Sequence, residues 1–284
     1  MATLSISKAW DDARPIIARD GKLMFMVALV TVVLPGTLMM LISPQQAAVG
    51  QIEADAQPGW VVILSLVLAL VGVVGSIAIS YLALFRGASV GESLSRGVKR
   101  LPTVIGIGLL FLVPIFILAV ILAIAFVGAD RMASLDNPQT ISALSGPAVI
   151  AFLLLFFLMI YVSVRLFLTT PMVAARDLGP INTIKASWSL TKGHFWKLLG
   201  FLILFVVAVL VVMIVVGIVI GLVVALLFGE IEPYTMGALF MGLFSGFAQA
   251  LITIVYSTII ARIYHQLAGN VADPSVPNVP DAQG

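Results

Sequence analysis

The sequence predicts an all-α, polytopic membrane helix bundle with six transmembrane helices, and three observations predict it. Of 284 residues, 61% are hydrophobic and 10% charged, where a soluble domain carries about 25% charged residues. Six apolar runs are each 20 residues or longer, enough to cross a hydrocarbon core of about 30 Å as helix. Lys and Arg are confined to alternate connections between those runs, the pattern that fixes orientation in a bilayer.

In chain order, residues 1–22 read as a cytoplasmic interfacial arm. Trp10, Ile16 and Ile17 supply an apolar side, and Lys8, Arg14, Arg19 and Lys22 a side for water or anionic headgroups. Pro15 is expected to break this arm. The stretch also holds Asp11, Asp12 and Asp20, unlike a signal peptide, so the first span is expected to be retained. The membrane domain covers 23–267. Span one is 23–42, with a kink expected at Pro35-Gly36. A polar loop with Glu53 and Asp55 leads to span two at 59–85, with Trp60 at its mouth. A basic interfacial segment with Arg86, Arg96, Lys99 and Arg100 precedes span three at 102–127, which Pro114 should kink. Span four is 147–170, ended by Pro171.

The polar segment 172–196 follows. Pro180 suits a first helical turn. Ile181, Ile184, Trp188 and Phe195 then share an apolar face, and Asn182, Lys185, Ser189 and Lys192 a polar one. Span five is 198–228. From Phe201 to Phe228 it carries no charge and no hydrogen-bonding side chain over 28 residues. An acidic turn with Glu230 and Glu232 leads to span six at 236–264. The tail 268–284, rich in Pro, Asp and Asn, reads as disordered and cytoplasmic.

Fourteen of the fifteen Lys and Arg residues fall on one side of this map, and Arg131 alone falls on the other with six carboxylates. The positive-inside rule then places both termini in the cytoplasm of a multi-pass protein of the cell inner membrane. Trp10, Trp60, Trp188 and Trp196 all fall at expected interfaces.

Ser93-Leu94-Ser95-Arg96-Gly97 precedes span three, and Ser189-Leu190-Thr191-Lys192-Gly193 precedes span five at an offset of 96 residues. Basic residues around Trp10 precede span one. The reading is a threefold repeat, each unit an interfacial amphipathic helix followed by a membrane hairpin.

These features, with Arg165 shortly before Pro171 and Ala186-Ser187-Trp188-Ser189-Leu190 after it, resemble the bacterial membrane-domain family named after glycerophosphoryl diester phosphodiesterases and its six-span inner-membrane relatives of unknown function. Some members of that family carry a fused soluble phosphodiesterase domain. The longest polar segment here is about 25 residues, so the resemblance implies a membrane domain without the hydrolase.

Chemistry-bearing residues are few. The chain has no Cys, which removes thiolate nucleophiles and thiolate metal sites. His194 and His265 sit at separate membrane edges without metal-ligand spacing. No span holds a carboxylate, which argues against a proton relay or ion-coupled site. No enzymatic activity, cofactor, metal or nucleic acid is expected.

What remains is polar residues on span faces, which must point into the bundle to find partners. Ser245, Gln249, Thr253 and Tyr256 share a face of span six. Ser65, Gly72, Ser76 and Ser80 share one of span two. Tyr161, Arg165 and Thr169 stack on span four. Tyr161, Ser245, Gln249, Thr253 and Tyr256 are the candidate intramembrane polar groove. Arg165, Arg262, Lys185 and Lys192 are the candidate contacts for anionic membrane lipids, since Arg binds phosphate in bidentate fashion. Gly217-xxx-Gly221 and Gly242-xxx-Gly246 permit close helix packing, within the chain or against a membrane-protein partner or second copy. The expected function is that of a non-enzymatic membrane protein that interacts with lipid or scaffolds a partner. The alternative is a transporter or lipid-moving protein with a polar groove between helices.

Overall fold

In the computed structural model, residues 4–43, 58–126, 128, 146–229 and 231–269 are described. Their regular structure is entirely helical. Helix α1 (Ile6–Ala28) passes through a π-helical turn (Leu29–Val33) into α2 (Leu34–Ile42). Then follow α3 (Gly59–Leu84), α4 (Val90–Phe126), α5 (Gly146–Arg165), α6 (Thr169–Ala175), α7 (Pro180–Thr191), α8 (Phe195–Phe228) and α9 (Met236–Ala268). Six helical stretches are long and apolar enough to cross a membrane, and they correspond to the six expected spans. The chain is a multi-pass membrane protein in architecture. The polar loops around Glu53 and Asp136, and the tail from residue 270, lie outside the described residues.

The interfacial arm and span one are one continuous element. Pro15 lies inside α1 and does not break it. Proline forfeits one hydrogen bond and crowds the preceding turn, but here Ala9 and Ala13 are fully buried in a cluster with Ile260, Ile263 and Tyr264 of α9. That packing keeps the helix on course. Ser5 caps it, its hydroxyl accepting from the Lys8 N–H at 3.3 Å. Where a kink was expected at Pro35, the helix instead carries a π turn just upstream. Pro35 has no N–H for the Thr31 carbonyl, and its ring crowds that group. The π turn at Leu29–Val33 absorbs the mismatch. Likewise, segment 86–101 is no separate interfacial helix: α4 runs through Pro102 and Pro114 without interruption. Its first turns stand against α3, with Ser93 and Gly97 buried. A Cβ at Gly97 would lie 2.6 Å from the Val74 carbonyl oxygen.

Span four ends earlier than expected. Helix α5 stops at Arg165, a turn follows, and Pro171 falls in the first turn of α6, where a missing N–H costs nothing. The Tyr161–Arg165–Thr169 stack is therefore broken after its second member. Helix α7 starts at Pro180 as expected but presents a different face. It buries Thr183, Ser187 and Thr191, and leaves Ile181 58% exposed. Small hydroxyl residues let the helix approach closely, and each finds a backbone acceptor. Ser187 Oγ donates to the Arg165 carbonyl at 2.7 Å, satisfying a free carbonyl at the end of α5. Thr183 donates to Gly179 and Thr191 to Ser187. Gly193, at φ +85°, makes the corner between α7 and α8, a conformation other residues rarely adopt.

A common packing device underlies the three pre-span segments. Each buries two small residues four apart: Ala9 and Ala13, Ser93 and Gly97, Ser187 and Thr191. Each segment seats on the even-numbered span that precedes it, and α1 closes the ring on α9, the last. The burial register pairs Ser93 with Ser187, an offset of 94 residues rather than the 96 suggested by the likeness of the two motifs. Gly97 and Gly193 accordingly differ in role, the first buried mid-helix and the second an open corner.

Burial is unevenly distributed. The well-packed half is the basic end, where the N-terminus meets the end of α9: the Ser5 N–H donates to Gln266 Oε1 at 3.1 Å, and Lys197 Nζ donates to the Leu4 carbonyl at 3.4 Å. Toward the other end three of the spans are far more exposed. Spans three, four and five bury 6%, 11% and 0% of their most apolar windows, against 28–33% for spans one, two and six. Gly242 and Gly246 serve the internal seam with α2 and the π turn: a Cβ at Gly246 would meet Val33 Cα at 3.1 Å, and one at Gly242 would meet Thr37 Cα at 3.0 Å. Gly217 and Gly221 have nothing near them. The acidic turn is held to the end of α2 by the Tyr234 N–H, which donates to the Leu41 carbonyl at 2.8 Å.

Candidate functional site

Where the packed half gives way to the more exposed half lies a cavity of about 450 Å³, within the range of small-ligand sites. Helix α8 supplies an apolar wall through Leu202, Phe205, Val206, Val209 and Leu210, which recur at helical spacing on one face. Facing it are Ser76 and Ser80 of α3 and Gln249, Thr253, Tyr256 and Ser257 of α9. Phe167, Thr170 and Pro171, around the α5–α6 break, close one end. The break therefore has a structural purpose: it turns Phe167 inward, where its ring meets Tyr256 edge-on at 6.1 Å and Phe201 at 5.8 Å. Val206 and Leu210 are about half exposed, so the cavity reaches the outer face of the bundle beside α8.

The hydrogen bonding of this cavity is incomplete. Ser76 Oγ donates to the Gly72 carbonyl at 3.0 Å and Thr253 Oγ1 to the Gln249 carbonyl at 2.8 Å. Among the described residues, the Gln249 amide and the Ser80 and Tyr256 hydroxyls have no such partner, and all three line the open space. In hydrocarbon an unsatisfied polar group costs several kcal/mol. Water or a ligand with polar atoms must therefore meet them.

The candidate groove thus forms only in part. Gln249, Thr253 and Tyr256 come together and are joined by Ser76 and Ser80 from the stripe expected on span two. Ser245 falls outside. Its hydroxyl bonds the Gly242 carbonyl at 3.1 Å, and it borders a separate recess with Met40, Met213 and Gly217. Four residues along a helix is also about 6 Å of rise, enough to leave the cavity. Tyr161 falls outside too. It belongs with Arg165, Trp188 and Phe195 at the basic end.

The four candidate lipid-contact cations also divide. The Arg165 guanidinium lies 5.2 Å from the Tyr161 ring and 5.3 Å from the Trp188 ring. Its Nε donates to Tyr161 Oη at 3.2 Å. Lys185 and Lys192 border a shallow recess with Ile184, Trp188 and Ser189, so Trp188 links them to Arg165. Arg262 belongs elsewhere. It faces Asp12 at 3.9 Å and ties α9 to α1. The free end of span six is occupied by α1, which is why its arginine meets a carboxylate of the chain instead of a headgroup.

One ionic cluster escaped sequence reasoning. Asp177, between α6 and α7, pairs with both Arg96 and Arg100 of α4, the former at 2.6 Å. Arg96 Nε also donates to the Ala174 carbonyl at 3.1 Å, near the end of α6. The available signal was a lone acid in an otherwise basic segment. Among the described residues no three His, Asp or Glu side chains gather as a metal site would require.

Neither the comparison with curated proteins nor that with solved structures finds a match. A family model described as a domain of unknown function, DUF7847, matches residues 4–267, the whole helical bundle and nearly all of the chain. The chain belongs to the DUF7847 family.

Proposed function

We propose that the protein is a non-enzymatic, lipid-interacting protein of the cell inner membrane, with both termini cytoplasmic, and that its cavity holds one amphiphile. The observation that carries this reading is the pairing of unsatisfied Gln249, Ser80 and Tyr256 side chains with a long apolar wall on α8. A lipid offers both halves of the required chemistry. Its ester, amide or hydroxyl atoms meet the polar stripe, and an acyl chain lies along Leu202, Phe205 and Val209. Entry is from the side, past Val206 and Leu210, where the bilayer supplies the ligand. The likeness to the glycerophosphoryl diester phosphodiesterase membrane domain agrees with a membrane role, and no hydrolase activity is taken from it.

The test combines two independent variants with lipid analysis. Val206→Trp fills the cavity from its exposed rim. Gln249→Leu with Tyr256→Phe removes its polar contacts while keeping volume. The full chain is purified in mild detergent, and retained lipid is counted by native mass spectrometry. Both variants should lose one tightly held lipid relative to the unaltered chain. An unchanged lipid complement in both refutes the proposal.

A further inference from the structure

The described ion pairs engage Arg19, Arg96, Arg100 and Arg262, each with a carboxylate of the chain. Arg165, Lys185 and Lys192 take part in none of them. Their positive charge is nonetheless concentrated around one aromatic residue. Trp188 stacks against the Arg165 guanidinium at 5.3 Å and also borders the recess formed by Ile184, Lys185, Ser189 and Lys192. Arg165 is held in place from several directions. Tyr161 covers it at 5.2 Å and accepts from its Nε, and Thr191 Oγ1 lies 3.5 Å from its Nη1. Sequence position then puts Lys192 next to Thr191. A guanidinium has five N–H donors, and these contacts leave several of them unused. Side chains at positions 185, 189 and 192 fall on one helix face, so two ammonium groups flank a hydroxyl.

Position along the bundle identifies the phase this face meets. Ile181 on the same helix is 58% exposed, and Trp196, two residues past the corner, is 80% exposed. Exposed Ile and Trp beside Lys is the arrangement of a helix lying at the boundary of hydrocarbon and headgroups. We infer that the Lys185–Ser189–Lys192 face of α7, with Arg165 behind Trp188, is a binding site for the phosphate of an anionic membrane lipid. The two ammonium groups donate to phosphate oxygens, while the Ser189 hydroxyl between them gives its one O–H to the Ala186 carbonyl at 2.8 Å and only spaces the two lysines. Ile184 and Trp188 cover the glycerol and the first part of the acyl chains. This site is separate from the mid-membrane cavity. It stands on different residues and survives if the cavity proves empty.

The experiment uses the full chain in nanodiscs or detergent with defined lipids. Retention of phosphatidylglycerol is compared with retention of phosphatidylcholine by native mass spectrometry, for the unaltered chain and for Lys185→Gln with Lys192→Gln. A well-placed cation near an anionic surface contributes about fivefold in affinity, so losing both should lower the preference for phosphatidylglycerol by about 25-fold. Phosphatidylcholine retention should hold. Lys22→Gln with Lys99→Gln, which removes the same net charge elsewhere at the basic end, should leave the preference within about twofold. An equal loss in both double variants, or no loss in the first, overturns the assignment. Inorganic phosphate provides the last arm. Millimolar phosphate that displaces the lipid and binds on its own, to the same residues, would assign the site to a soluble phosphate and overturn the lipid assignment. A cavity variant such as Val206→Trp should leave the headgroup preference intact, so failure here is distinct from failure of the cavity reading.

Discussion

Replacing Gly97 by Ala tests the close seam between α3 and α4. The new methyl carbon would sit 2.6 Å from the Val74 carbonyl oxygen and 2.9 Å from Val74 Cγ1. The first contact is with backbone in the middle of a helix and cannot rotate away, so α4 must retreat. Overpacking of this kind costs about 1–3 kcal/mol. Against it stands the better helix propensity of Ala, worth about 1 kcal/mol in an exposed helix interior. The net expectation is a loss of up to about 2 kcal/mol. Gly217→Ala supplies the internal comparison, because nothing lies within 4 Å of its Cβ position on α8. There only the propensity gain remains, up to about 1 kcal/mol. The propensity gain is common to both, so the two variants should differ by the overpacking cost of about 1–3 kcal/mol, although each adds one methyl group to a glycine in an apolar helix. Tryptophan fluorescence during unfolding in mixed detergent micelles, with the same lipid present throughout, measures the difference. Equal stability of the two variants would refute the reasoning, since it would mean that α4 does not stand against α3 at Gly97.

Two other expectations follow from the same structure. Asp177→Asn should destabilise the chain by up to about 1 kcal/mol, because Asp177 is 72% exposed and solvent screens its pairs with the better-buried Arg96 and Arg100; the double variant with Arg100→Gln should recover part of that loss in the same unfolding assay. The absence of native Cys allows a clean topology measurement: a membrane-impermeant maleimide applied to intact cells should label Glu232→Cys and spare Ser189→Cys until the cells are opened, and labelling of both from outside would contradict the positive-inside assignment.

How much of this was legible in the sequence depended on whether a residue's role is set by composition or by partner. The six spans were legible because hydrocarbon imposes length and apolarity on each crossing without regard to neighbours. Span boundaries were less so. Pro15 read as a break and Pro102 as the start of span three, yet each lies inside a continuous helix, since proline's local penalty is offset by packing that a one-dimensional reading cannot see. The packing side of α7 was not legible for a related reason. Ile181 and Trp188 marked its apolar face, but the contact with the bundle is made by Thr183, Ser187 and Thr191. In a bilayer, large apolar side chains are equally content facing lipid, and small residues mark where helices meet. The same logic explains the cavity. Gln249, Thr253 and Tyr256 were visible as polar interruptions, while Phe205, Val209 and Leu210 were invisible among apolar residues of every orientation. Arg262 shows the limit of reading a cation by depth alone: its partner, Asp12, is 250 positions away in the chain.

The position of the cavity follows from the uneven packing. At the basic end, small-residue seams, the Asp177 cluster and the closure of α1 on α9 give the bundle its contacts. Most large side chains of α8 from Ile203 to Val223 are exposed, although Phe205 meets Tyr256 at 5.1 Å, and past that stretch Val224 is buried and Phe228 stacks on Phe240. Lipid tails are as apolar as the leucines and valines they touch, so no hydrophobic force draws those exposed lengths together. Packed near both ends and exposed between them, α8 leaves room against α3 and α9 beside the Phe167–Tyr256 pair, and the cavity lies there. Polar residues placed there cannot be satisfied by α8, whose facing side is wholly aliphatic and aromatic. They remain available to a polar ligand atom or to water, as the proposed function requires. Occupancy therefore bears on α8 as well as on the ligand: a molecule bridging the Gln249 stripe and the α8 wall supplies the contacts that the protein lacks there. By mass action, binding of such a molecule would stabilise the folded bundle by an amount that grows with the logarithm of its concentration over its dissociation constant.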